Sequence, residues 1–566
     1  MVTARLAEKK APQLLVRRPM SESSPDLPAD PPAGRPPAAL PRRLLGDPRS
    51  LLSLALLGVV LGVVLVTTMR APLKDDIAWL LHIAQDLLRG KQLYIDDIEI
   101  NPPLVIWLLL VPAELGRLTG VSAALFAELL FSVAIVGSAL WSARLLKGYS
   151  PLFASWPPVF AAIGIVLVTI PGVEFGQREH LLAASALPYL CLVAQRLRRR
   201  RPHTLEALGC GALAAIGCAL KPHYAIAFLG LEALAALRGG LRPWRPEALA
   251  MAALLIAYGT AVLLLFPVYF HVIIPLTLDL YGASDVSFGV LLLQSRTLLL
   301  GLAVILVLCL RRHGWTRRDP LFLALAVFAS GATLACFAED KDWFYHRLPA
   351  SIAVVLALVY WTVATLGDRA AITRGKLAAL AIAACVLGAF AGAAVDRLTP
   401  RLELALGEKT ALESRIEELI RRSGAHRYMA FSQSLSPGFP VVDAAGAVWT
   451  SRFDSMWALR GTLWYLQQGN GALPWSVTRW IVTDFIQGCP DLVVVDDRDG
   501  LDYIGILSAT PAFAAAWSHY RLVTAFDGIR AFKLSAAPAA ALEPAASHQY
   551  APPRAACRSV ARVPVP

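Results

Sequence analysis

Charge is scarce in this chain. Only 17% of its 566 residues are Asp, Glu, Lys or Arg, and 56% are hydrophobic. Soluble domains carry about a quarter charged residues, so the deficit excludes an ordinary soluble protein and leaves a polytopic membrane protein. CxxC, HExxH, a Walker A loop and GxSxG are also missing. Their absence removes the usual signatures of soluble redox, metallohydrolase, nucleotide-binding and serine-hydrolase enzymes. No internal repeat is clear.

Cysteine is sparse, eight in all. Cys191, Cys210, Cys218, Cys309, Cys336 and Cys385 lie in or beside apolar segments and read as small packing residues. Cys489 and Cys557 fall in the polar C-terminal part and are able to pair if it faces an oxidising compartment, which spacing alone leaves open. The net charge is +12, but the Arg-rich runs sit between apolar segments. Loop charge bias accounts for that excess, so no nucleic-acid partner is expected.

What is present falls into four parts. Residues 1–50 are rich in Pro, Arg and Ala and read as a disordered cytoplasmic tail. A membrane domain follows over 51–395, with an acidic first loop at 70–121. Its apolar stretches lie near 51–69, 122–143, 151–171, 179–196, 204–220, 223–237, 248–270, 289–310, 321–338, 347–366 and 376–395, about eleven transmembrane helices in all. Residues 396–535 read as a small α/β domain, with LVVVDD as a buried strand and a hairpin turning at Asp527-Gly528. The Ala- and Pro-rich end, 536–566, reads as a second disordered tail. The expected fold class is therefore mainly α, with a small α/β domain at the C-terminus.

Orientation turns on 103–118, an apolar but short segment interrupted by Pro112, Glu114 and Arg117. If it lies along the interface without crossing, Arg144/Lys147, the run at 196–201, Arg238/Arg242/Arg245, Arg311 to Arg318 and Arg369 to Lys376 all join the basic N-terminus on the cytoplasmic side. The same parity gathers Asp75, Asp76, Glu99, Asn101, the 174–180 cluster (EFGQREH), Lys221, His223 and the 339–347 cluster (EDKDWFYHR) on the opposite face. Carboxylates beside hydrocarbon are costly unless they meet water, a partner or a substrate, so this convergence points to a site at the membrane boundary.

Three features now carry a resemblance. Asp75-Asp76 opens a helix-patterned segment; Gly90-Lys91-Gln92-Leu93-Tyr94-Ile95-Asp96 follows, then Asn101-Pro102-Pro103-Leu104. Over about residues 50–200 the chain resembles GT-C glycosyltransferases of the family 39, protein-mannosyltransferase-like group. That resemblance implies inverting transfer of a sugar from a polyprenyl-phosphate carrier to an acceptor on a cell-envelope glycan, lipid or protein. It also implies a bacterial inner-membrane location, with the active site and C-terminal domain facing the periplasm. The pattern departs where relatives carry Asp-Glu in place of Asp75-Asp76, and a basic or His residue in place of Asn101.

Such chemistry needs a base for the acceptor hydroxyl and cations for the departing phosphate. The resemblance gives the base as Asp75, with Asp76 as the fallback; helix capping is the plain alternative for this pair. Arg178, Lys221, Lys341, His346 and Arg347 are the candidates for the donor phosphate. Against that, Arg178 could simply pair with Glu174 or Glu179, and Lys341 could snorkel. Glu99, Asn101 and Tyr94 are candidates for the sugar or acceptor, though Glu99 and Asn101 suit a turn cap and the aromatics an interfacial belt equally well. No second ligand stands at metal spacing from His346, so no metal is expected, and no cofactor beyond the lipid-linked donor. A transporter or flippase of a lipid-linked or anionic solute is the rival reading.

Overall fold

The computed structural model describes residues 48–535 except 241, 243, 312–314, 368–372 and 408–411, and it omits the side chains of 65, 68 and 404. The two expected tails, apart from 48–50, lie outside the described residues, as do Cys557 and parts of the Arg311–Arg318 and Arg369–Lys376 runs. The described chain is mainly helical with one small C-terminal sheet.

A helix occupies each of the eleven apolar stretches. They are α1 (Pro48–Arg70), α4 (Ala123–Leu146), α5 (Trp156–Thr169), α6 (Arg178–Leu197), α7 (Thr204–Leu220), α8 (Ala225–Gly239), α9 (Pro246–Leu265), α12 (Arg296–Leu310), α13 (Pro320–Phe337), α14 (Leu348–Gly367) and α15 (Arg374–Ala405). Among the described residues six helices are long and apolar enough to cross a membrane, or seven if one bent pair counts as a span. That pair, Tyr269–Ser284 with Phe288–Gln294, contains α10 (Ile274–Leu280) and α11 (Phe288–Gln294) and turns by 75°. Helices α5, α7 and α12 are apolar but shorter. Close helix approach is built on glycine: a Cβ at Gly331 on α13 would lie 2.6 Å from the Ala227 backbone of α8.

Helix α2 (Asp75–Leu88) begins with the acidic pair, and Gly90, at φ 92°, supplies the left-handed turn beyond its end. The apolar pattern predicts a helix lying on a bilayer surface, but every residue from Ile77 to Ala84 is buried. One side packs on α3 (Leu104–Thr119). The other is covered by the C-terminal domain, where the Phe439 ring lies 5.1 Å from Trp79 and Asp443 Oδ1 lies 2.8 Å from His82 Nδ1. α3, the segment in question for orientation, has 16 residues and carries Pro112 within it.

The C-terminal domain holds a five-stranded sheet in the order β2-β1-β3-β5-β4. Strands β1 (Arg427–Phe431), β2 (Val448–Trp449) and β3 (Leu492–Asp496) run parallel; β5 (Ile529–Leu534) and β4 (Tyr520–Phe526) add antiparallel. β3 is buried along its length, as a central strand covered on both faces must be. Asp527 and Gly528, both at positive φ, make the tight turn between β4 and β5. The segment leaving β2 returns to the membrane domain: the Ile98 amide donates to the Arg452 carbonyl at 2.7 Å.

Candidate functional site

Helix α6 has 20 residues and is about 30 Å long at 1.5 Å per residue. The ionisable residues sort to its two ends. At the C-terminal end Arg196 is paired with Glu247 at 2.9 Å and Arg198 with Asp319 at 2.9 Å. At the N-terminal end the first loop, the 174–180 turn, Lys221, His223 and the 339–347 turn meet.

The meeting has a centre. Gln177 Nε2 donates to Asp76 Oδ2 at 2.9 Å and reaches Glu174 Oε2 at 3.4 Å. Glu99 Oε2 accepts from Trp79 Nε1 at 2.9 Å, and its Oε1 accepts from the Asn101 amide at 2.8 Å and the Asn101 side chain at 2.5 Å. Arg178 Nη1 stands 3.9 Å from Glu99 Oε1, beyond hydrogen-bond reach, and Arg178 Nε has no hydrogen-bond partner among the described residues. That guanidinium is 4% exposed, so it is a buried cation with unused donors.

Around it stands an aromatic wall. The Tyr281 ring lies 5.4 Å from Trp457 and 5.9 Å from Trp343, which stacks on Tyr345 at 5.9 Å. These four rings and Asp76 are half-buried, so the wall borders solvent. Tyr281 feels the charges of Asp76, Asp454, Arg178 and Glu99 together. Asp454, from the segment after β2, is therefore a carboxylate that the C-terminal domain brings to the membrane domain. Burial, then Glu99 and Asp76, pushes the Asp454 carboxyl up to about 8.

Asp75 sits differently. Its Oδ1 accepts from the Asp76 amide at 2.8 Å and pairs with Lys74 Nζ at 2.9 Å. Burial, then the adjacent Asp76, raises its carboxyl against the pull of Lys74. The helix N-cap position is Lys74 and has no side-chain cap, so the acidic pair occupies the first turn instead. Tyr94 is buried and its hydroxyl donates to the Asn101 carbonyl at 2.8 Å, holding the loop. Lys341 donates to the Tyr281 carbonyl at 2.9 Å, pairs with Asp285 and lies 4.7 Å from the Tyr281 ring centre. Arg347 ties the carbonyls of Gln294 and Asp342.

Beside the Arg178 centre a second cluster forms. Lys221 Nζ lies 3.1 Å from Glu179 and 3.4 Å from Glu339, and His346 Nδ1 lies 2.7 Å from Glu339. His223 Nε2 lies 3.1 Å from Glu339 Oε1. The structure thus joins Asp76, Arg178, Glu99 and Asn101 in one group and Lys221 with His346 in another. It leaves Lys341, Arg347 and Tyr94 with structural partners.

No family model matches the chain, and no curated protein matches it. The chemistry must be argued from the site. Sequence reasoning missed Asp454 and Trp457, whose surroundings (SRFDSMW) carry no local mark of function, and Tyr281, which lies inside the bent pair.

Proposed function

We propose that the protein is a membrane glycosyltransferase that moves a sugar from a polyprenyl-phosphate carrier to an acceptor hydroxyl. One observation carries this: Asp76, Glu99 and Asp454 converge with a buried, incompletely paired arginine against half-buried aromatics at one end of the bundle. A carboxylate serves as base, a guanidinium takes up charge on a departing phosphate, and ring faces suit sugar or polyprenyl.

In this reading Asp76 removes the acceptor proton as the acceptor oxygen bonds to the anomeric carbon. The bond from that carbon to the phosphate oxygen breaks, and polyprenyl phosphate departs with the electron pair towards Arg178. Attack opposite the leaving group inverts the centre. We take Asp76 ahead of Asp75 as the base, because its charge acts on Arg178 and Tyr345 while Asp75 is paired with Lys74. The reading takes eleven crossings, with α3 lying along the interface, and so sets this end on the outer, periplasmic face of a bacterial inner membrane.

The test is sugar transfer by purified protein given a labelled polyprenyl-phosphate sugar and membrane extract. Asp76→Asn is expected to lower transfer by about 100-fold or more. Unchanged transfer in both Asp76→Asn and Asp75→Asn removes the base. A transporter is favoured by the bent pair, since broken helices line solute paths. Solute movement across proteoliposomes without sugar transfer would establish that alternative.

A further inference from the structure

Glu179 comes from the first turn of α6, Glu339 from the turn after α13, and His346 from the turn before α14. One ligand-type atom from each lies within 4.8 Å of the other two. Glu179 is 0% and His346 2% exposed, and Glu339 is half-buried. Buried polar atoms normally find hydrogen bonds, and unpaired ones are expensive. Here both oxygens of Glu179 and His346 Nε2 have no hydrogen-bond partner among the described residues.

The contact between His346 Nδ1 and Glu339 Oε2 is informative. At 2.7 Å it is a charge-assisted contact that fixes the ring, with the carboxylate as its orienting partner. His346 Nε2 is 3.7 Å from Glu179 Oε1, so the ring stands between the two carboxylates with Nε2 as the nitrogen open to a metal and Nδ1 held by Glu339.

We propose that Glu179, Glu339 and His346 bind a divalent first-row transition metal, zinc in preference to magnesium. An imidazole nitrogen with two carboxylates suits zinc or manganese, whereas magnesium prefers oxygen ligands and retains water. His223, with Nε2 3.1 Å from Glu339 Oε1, stands ready as a fourth ligand or as an orienting partner. Lys221 competes: its ammonium sits against the same two carboxylates and must swing aside for the metal. Removing that lysine should tighten the site. The inference is independent of the proposed sugar transfer.

The experiment uses full-length protein in detergent, stripped with chelator and then exposed to ZnSO4, MnCl2 or MgCl2. Metal content and Tm are read directly. Wild type is expected to retain ~1 zinc per chain after desalting, less manganese and no magnesium. His346→Ala and Glu179→Gln should lose the zinc, and Lys221→Ala should bind it more tightly with a larger rise in Tm. If Lys221→Ala and wild type retain no more zinc than His346→Ala, the cluster is an ion-pair network only and the proposal fails. Preference for magnesium also overturns it. Neither readout requires glycosyl transfer, so failure of that activity leaves this result standing.

Discussion

Helix α6 carries an arginine near each end, and the two are used differently. Arg196 meets Glu247 in a two-pronged contact, Nε to Oε1 at 3.1 Å and Nη2 to Oε2 at 2.9 Å. Arg178 is more deeply buried, reaches Glu99 only at 3.9 Å and leaves Nε without a partner. A fork-to-fork pair is a completed structural joint. A buried guanidinium with donors to spare is costly to keep, and such groups mark sites where a charge arrives from outside. The difference separates an end that holds the bundle together from the end proposed as the site.

Substitutions at the two positions sharpen this contrast. Arg178→Lys keeps the charge but loses the planar fork, and sugar transfer is expected to fall by about 100-fold or more with the chain still folded. Equal activity in wild type and variant would erase the distinction. Arg196→Met should do the reverse. It strips a buried carboxylate of its best partner, costing roughly 1–3 kcal/mol by denaturant titration, with transfer per folded molecule unchanged.

A smaller effect concerns Asp454. Its folded value, about 8, lies above the ordinary 3.8, so the unfolded chain ionises first as pH rises. The penalty is absent below about pH 4, grows through the interval and levels off above 8. Asp454→Asn should therefore gain stability over wild type across that range. It should also lack any alkaline fall in transfer near pH 8 that wild type shows.

The smallest effect is at His82. Burial lowers its affinity for a proton, but Asp443 and Asp86 outweigh this and hold the imidazole at about 9. Because 9 exceeds the ordinary 6.5, the stabilisation is full below pH 6.5 and lost as pH rises through 9. Hydrogen exchange over 77–86 should speed up across that window in wild type and stay flat in His82→Gln.

The fold was largely legible because apolar length and strand pattern are local properties. Each apolar stretch has its helix, β3 matches the LVVVDD run, and the hairpin turns at Asp527-Gly528. Sorting polar loops by parity gathered Asp76, Glu99, Arg178, Lys221 and His346 at one end, where the first three form one group and Lys221 with His346 a second beside it. The burial of α2 was not legible. Its apolar positions mark one covered face, whereas the second cover, Phe439 and Asp443, comes from a distant domain. Asp454 escaped for the same reason, and so did the grouping of Glu179 with Glu339 and His346, which is set by helix packing and not by spacing along the chain.

The hydrogen bond from Ile98 to Arg452 has a consequence for biogenesis. The ribosome makes Ile98 early and Arg452 about 350 residues later, roughly 20–70 s at common elongation rates. Through that interval the opening loop must remain docking-competent with Trp79 and His82 uncovered. A nascent chain stalled before the final sheet would expose this half-built surface, giving quality-control proteases a marker of incomplete synthesis.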